Sequence, residues 1–387
     1  MPQGDTILAM SGDSMDTAVL RQVRNILAFF AVALVLYILK ITSGVIMPMV
    51  IALFIFIFVN PYLGRMDRLK IPRVLSSIIV TGGVCLLIFV VVYLLFMIIN
   101  QLMAPDTGIP HYVQRIALLD RSLSDWLAPY LDEDPLTFSV LAWMNVDWYA
   151  LAMTSLTNLS GRFMSVASDA LLVVLYLMFL ILERQTVMPK LMAAFPVGKI
   201  QKAGQMMDSI SKQVSRYMSI KAFISLITGV LFYLTAVWVK LDFALIWGVL
   251  ATVLNFIPTI GSIVVTVLGI FMAVIQFAPD WSTVMMISFL FIIIEMVMGN
   301  IVDPRFQGVQ LNLSPLVILI FLALWGYIWG IPGMFLSVPM TSVLQVFCAN
   351  SPTLRPISII ISEGSTYRKD YETKKRKKRG KGSGLPV

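Results

Sequence analysis

NFIPTIGSIV, residues 255–264, lies inside an apolar region that would otherwise read as one long helix. Pro258 has no N–H and clashes with the preceding turn, so one helix ends here and another begins. Gly261 follows three residues on, with Asn255 and Thr259 beside the break. In lipid, a broken backbone is tolerated only where protein or a watery cavity covers it. The stretch therefore calls for a membrane protein whose interior shelters loosened helix ends.

The rest of the chain agrees. It is 58% hydrophobic and only 13% charged, against about 25% charged in ordinary soluble domains. Crossing a hydrocarbon core of about 30 Å takes roughly 20 apolar residues. Ile26–Thr42, Gly44–Val59, Val74–Ile99, Ala170–Leu182 and Ala222–Val239 read as spans. So do the shorter Ala244–Ile257, Ser262–Phe277 and Val284–Met298, and then the long Leu316–Phe347. A second break, WGYIWGIPGMFLSVP (325–339), holds Gly326, Gly330, Pro332, Gly333 and Pro339 and halves the last run. The expected fold is an all-α membrane protein with about eight transmembrane segments. Each broken region is either a tight spanning pair or a re-entrant hairpin; both return the chain to its starting side.

Charge sets the orientation, because Lys and Arg collect in cytoplasmic loops. GRMDRLKIPR supplies Arg65, Arg68, Lys70 and Arg73 against Asp67. Between Glu183 and Lys221, seven basic residues outnumber two acids, and the tail RKDYETKKRKKRGKG adds nine more. Residues 100–165 instead carry seven acids and three arginines. Both termini are thus expected in the cytoplasm. The expected division is a tail at 1–25, three transmembrane helices at 26–99, an extracytoplasmic segment at 100–166, a transport core at 167–350 and a basic tail at 351–387. In the outer segment Tyr112, Ile116, Leu119, Leu123, Trp126 and Leu127 recur at helical spacing, as amphipathic helices that cap the membrane part or a neighbouring subunit. Residues 1–25 carry Asp5, Asp13 and Asp16 and do not read as a cleaved signal peptide.

Several chemistries are excluded. Cys85 and Cys348 lie in apolar segments and His111 is the single histidine, so no Cys/His metal site is expected. Gly198-Lys199 is followed by Ile200, and Gly380-Lys381 by Gly382, so no phosphate loop is formed. A Ser/His/Asp triad would have to use His111, with no G-x-S-x-G elbow. Neither catalysis nor a cofactor is expected.

Transport is. Paired Gly/Pro-interrupted segments point to a transporter's binding site, since half-helix ends offer unpaired N–H and C=O groups to a polar solute. The expected path is lined by Asn255, Pro258, Thr259, Gly261, Asn300, Pro332 and Gly333. Glu295, in SFLFIIIEMVMGN, has apolar neighbours throughout. An acid at mid-membrane costs on the order of 2.5–3.5 kcal/mol on insertion scales. Glu295 and Asp303 are therefore the expected ion-coupling pair, for a proton or sodium. The simpler alternatives are that Glu295 reaches toward Arg305 and that Asp303 pairs locally with Arg305; Lys221 reads as an interfacial residue. Lys374–Arg379 would meet anionic lipid rather than nucleic acid.

Asn60-Pro61 closes the second span before the basic loop ending Pro72-Arg73. Together with LIWGVLATVLNFIPTIGS (245–262) and GNIVDPRFQGVQLNLSPLVILIFLALWGYIWGIPGMFLSVPMT (299–341), this resembles the autoinducer-2 exporter family. The resemblance covers about residues 20–350. It implies a bacterial inner-membrane permease working as a homo-oligomer, with the broken helices on the transport path. It also implies export of a small polar solute such as autoinducer-2, or, in other members, sodium/proton antiport. No family motif fixes an acid at position 295, so the role of Glu295 rests on its own surroundings.

Overall fold

The computed structural model describes residues 5–104, 108, 111–112, 114–116, 120–121, 148–194, 196–307 and 313–364. The basic tail and most of the outer segment, including Trp126, lie outside the described residues. Those described form helices and no strand: α1 (Asp5–Ile41), α2 (Ser43–Arg68), α3 (Arg73–Met103), α4 (Trp148–Ala194), α5 (Val197–Trp238), α6 (Ala244–Leu254), α7 (Ile260–Phe277) and α8 (Trp281–Val297). A π turn (Met298–Val302) leads into α9 (Asp303–Gln307), followed by α10 (Pro315–Asn350) and α11 (Arg355–Ile361). Among the described residues, eight helices are long and apolar enough to cross a membrane. The expected all-α membrane fold is what the chain forms.

Among the described residues packing gathers into four buried clusters, of which three join the long helices. Ala52, Leu63, Val173 and Leu177 join α2 to α4, with α3 alongside. Phe232, Ala251, Val265, Ile287 and Phe291 join α5 through α8. Phe54, Val214 and Leu336 tie α2 to α5 and α10. The most apolar stretch of α3 buries none of its residues fully, although Val80 and Val84 touch the α2–α4 cluster. That surface suits lipid, the only solvent in which so much exposed hydrocarbon carries no cost.

Both sequence breaks are present, each with a distinct backbone device. α6 ends at Leu254 after 11 residues, a rise of about 16 Å, too short to cross. The chain then turns through Asn255–Thr259, with Thr259 at φ 64°, and returns as α7. A Cβ on Gly261 would collide with the carbonyl oxygen of Leu254, so the two arms close tightly only with glycine there. Both arms end beside each other at the far end: the Gln276 side-chain amide donates to the Lys240 carbonyl at 2.9 Å, and its oxygen accepts from Asp242 N–H at 2.8 Å. The first break is thus a helical hairpin.

In α10 the break falls at Gly330, at φ 65° and ψ −143°, a conformation that glycine adopts without strain. A Cβ on Gly333 would collide with the Trp325 carbonyl, and one on Gly326 would lie 2.7 Å from Met334 Cε. Residues eight apart touch, so α10 doubles back on itself rather than running straight. The first hairpin opens where α5 ends, against Val239 and Leu241. The second opens where Leu313 and Ile361 pack on Tyr217, in the first half of α5. The hairpins therefore enter the bundle from opposite ends.

Candidate functional site

The two hairpin tips meet. Phe256, in the first turn, stacks on Phe335, five residues past the second break, with ring centroids 4.3 Å apart. Around them the expected path residues separate into two kinds. Asn255 is 5% exposed and its amide donates to the hydroxyls of Ser225 at 3.2 Å and Thr228 at 3.4 Å, both on α5. Gly261 and Gly333 are buried at the turns. Thr259 and Asn300 are exposed, Asn300 on the π turn. The structure thus joins the two breaks at the Phe256–Phe335 stack, and leaves Thr259 and Asn300 exposed.

Below Asn255 on α5 lies a lysine that hydropathy alone assigns to the membrane interface. Lys221 is instead buried, its side chain 4% exposed, and bonds Asp303 at 2.9 Å. Its location follows from spacing: Tyr217, Lys221, Ser225 and Thr228 recur at intervals of four and three and share one helix face. All four are buried. Tyr217 sits close enough to feel the charge of Asp303. Arg305, the other candidate partner, lies exposed on α9.

Glu295 completes the cluster. Both of its carboxylate oxygens are shielded from solvent and accept no hydrogen bond of ordinary geometry. The Ser262 hydroxyl, Lys221 and Asp303 are the polar groups around it. The π turn between the two acids explains their approach. Its i→i+5 bonds turn the chain less per residue than an α-helix, which brings Asp303 back toward the face that carries Glu295. One buried cation therefore lies near two half-buried acids, and it bonds Asp303.

At the other end, Tyr112 and Arg115 from the outer segment fasten the first hairpin. The Tyr112 hydroxyl donates to the Asp242 carboxylate, and Arg115 donates to the Gln276 carbonyl at 2.7 Å. Burial, then the hydrogen bond to Asp242 and its charge, push the Tyr112 phenol well above its ordinary range. Trp247 Nε1 donates to the Asp242 carbonyl at 3.0 Å. Helical spacing singled out Tyr112 and Ile116, and both now pack against the hairpin core.

The family model for AI-2E family transporters matches residues 26–352. The chain belongs to the AI-2E transporter family. Among its relatives is the AI-2 transport protein TqsA of Escherichia coli K12, 31% identical over 84% of this chain and 91% of that protein. A protein of Borreliella burgdorferi named "Putative transport protein" is 30% identical over 86% of this chain and 90% of its own length. A Haemophilus influenzae protein of the same printed name is 27% identical over 89% and 98%. The match to the AI-2E family takes in both hairpins, Lys221, Glu295 and Asp303. Membership establishes a multi-pass membrane protein of a transporter family. Among the described residues no group of His, Cys, Asp and Glu could hold a metal ion.

Lys221 is the site residue that hydropathy misplaces. Polar residues at 221, 225 and 228, where the apolar second half of α5 begins, carried the signal: a helix facing lipid on that side could not leave them unbonded.

Proposed function

We propose that this protein is a secondary exporter in the bacterial inner membrane, with both termini cytoplasmic, moving a small polar solute of the autoinducer-2 class. The observation that carries the reading is the meeting of two opposed broken helices at Phe256 and Phe335, beside a buried cluster of one lysine and two acids. Helix tips that stop inside a membrane present backbone groups able to replace a solute's hydration. Asn255, Pro258, Thr259, Gly261, Pro332 and Gly333 line this path, and Asn300 its cytoplasmic approach. Glu295 and Asp303 couple solute movement to an ion, with Lys221 as their shared counter-ion. The permease works as a homo-oligomer whose Lys374–Arg379 run rests on anionic lipid. The TqsA relative supports the solute class, and the burial of ionisable groups supports the coupling.

Inverted membrane vesicles test this. Labelled autoinducer-2 is supplied with sodium and pH probes in the same preparation, for wild type and Glu295→Gln. Accumulation of the signal that collapses in the variant is the expected outcome. Sodium-driven proton movement with no uptake of the signal would replace the exporter reading with sodium/proton antiport.

A further inference from the structure

Glu295 stands on α8 with both carboxylate oxygens sealed from solvent and neither accepting a hydrogen bond of ordinary geometry. Three groups face it, each from a different element: the Ser262 hydroxyl from α7, Lys221 from α5 and Asp303 from α9. Tyr217 adds a buried phenol near Asp303. Of these only Lys221 is a cation, and its ammonium lies 2.9 Å from Asp303. A carboxylate closed off from water and short of donors is costly while it is charged, and taking up a proton removes that cost.

Sodium and a proton make different demands on such a site. A hard metal cation is held by several oxygen ligands together. The side-chain oxygens near Glu295 are the Ser262 hydroxyl and Asp303, and Asp303 already holds the Lys221 ammonium. The place of a cation beside Asp303 is thus filled by one that belongs to the chain. A proton needs no shell of ligands. A protonated carboxyl keeps an acceptor oxygen, to which a serine hydroxyl can donate. The charged form stays within reach as well, because Ser262 lies in the first turn of α7, the end of a helix that favours negative charge. A carrier has to hold its ion and release it, so both forms are needed.

We propose that Glu295 is the proton-binding site of this cluster, so that the ion coupled here is a proton and not sodium, with Lys221 as the resident counter-ion. The inference rests on reading the cluster as the coupling site. On loading, an O–H bond forms on one Glu295 oxygen while the other accepts from Ser262. On release the proton passes to water, and the charge left on Glu295 is met by Lys221.

Infrared difference spectroscopy of the purified full-length protein in lipid vesicles tests it, since a protonated carboxyl and a carboxylate absorb at separate frequencies. The protein is titrated from about pH 5 to about pH 9, the range over which buried carboxyls change protonation, in sodium and in potassium salts. A protonated-carboxyl band is expected at the acid end, lost on titration and equal in both salts. Glu295→Gln is expected to lack that band and to melt with the wild type, because the amide keeps the shape of the protonated acid without a charge. Ser262→Ala is expected to shift the band to higher frequency, through loss of the donor to its carbonyl. A band that is absent, that never titrates, that sodium removes, that survives in Glu295→Gln or that Ser262→Ala leaves in place would overturn the proposal. So would a Glu295→Gln protein that unfolds or melts far below wild type, since the carboxylate charge would then be structural. The band requires no transported solute, so it decides the ion whether or not autoinducer-2 is taken up.

Discussion

Lys221 concentrates the energetic risk of the whole bundle in one side chain. A buried ion pair is costly to form, and removing one partner leaves the other charge uncompensated, at about 3–5 kcal/mol. Lys221→Met and Asp303→Asn are therefore each expected to lower the melting temperature of the solubilised protein sharply. The double variant, which removes both charges together, is expected to recover most of that loss. Recovery of folding without recovery of transport would mark the pair as part of the coupling machinery; two single variants as stable as wild type would show the pair to be inert. A second residue-scale prediction concerns Asp280, which caps α8 by accepting from Thr283 N–H at 3.3 Å and from its hydroxyl at 2.5 Å. These bonds hold its carboxyl below the usual range. A depressed carboxyl stabilises above its unfolded pKa of about 3.9 and loses that contribution as pH falls through the folded value. Thermal melts of wild type and Asp280→Ala should differ by a constant amount from pH 7 to about pH 5 and by progressively less as pH falls below about 4. A gap that does not narrow on acidification would deny the carboxylate its role.

Each hairpin depends on a glycine at a point where backbone meets backbone. Gly261→Ala drives a methyl into the Leu254 carbonyl, and Gly333→Ala drives one into the Trp325 carbonyl. Neither obstacle is a flexible side-chain end, so both variants are expected to cost at least the 1–3 kcal/mol typical of overpacking. Gly82→Ala is the control, since nothing stands within 4 Å of a Cβ there. It is expected to be neutral or mildly stabilising in a detergent melt, because alanine favours helix over glycine. The breaks themselves were legible in the sequence, since Pro and Gly close together in an apolar run force a helix to end or bend. Their geometry was not. Pro332 and Gly333 looked like the second break, yet the left-handed residue is Gly330, two residues earlier. Length was legible only where lipid dictates it. Ala222–Val239 read as a span, whereas α5 begins at Val197, because its polar first half carries no hydropathic signal. The π turn was equally silent: five ordinary residues, Met298–Val302, gain their extra half-step from the need to bring Asp303 to Lys221.

At the scale of the molecule, the decisive fact is a pairing between residues far apart in sequence. Hydropathy assigns spans one at a time and says nothing of which tip faces which. That is why the sequence yielded both breaks and both acids but neither Phe256–Phe335 nor Lys221–Asp303. Those contacts span 79 and 82 positions and exist only once α5 through α10 have assembled. If two opposed hairpins meet inside the membrane, tying their tips together should lock the path without unfolding the chain. Phe256→Cys with Phe335→Cys, in a background where Cys85 and Cys348 are serine, places two thiols where two rings now stack at 4.3 Å. A short bis-methanethiosulfonate reagent should then join them, giving one chain whose peptides from the two hairpins stay linked on digestion until reduced. Uptake of labelled autoinducer-2 into inverted vesicles should fall on cross-linking and return with reductant. Either single cysteine should show neither effect. Failure to cross-link would mean that the tips do not meet in the membrane. Cross-linking that leaves uptake intact would keep the fold and move the transport path elsewhere.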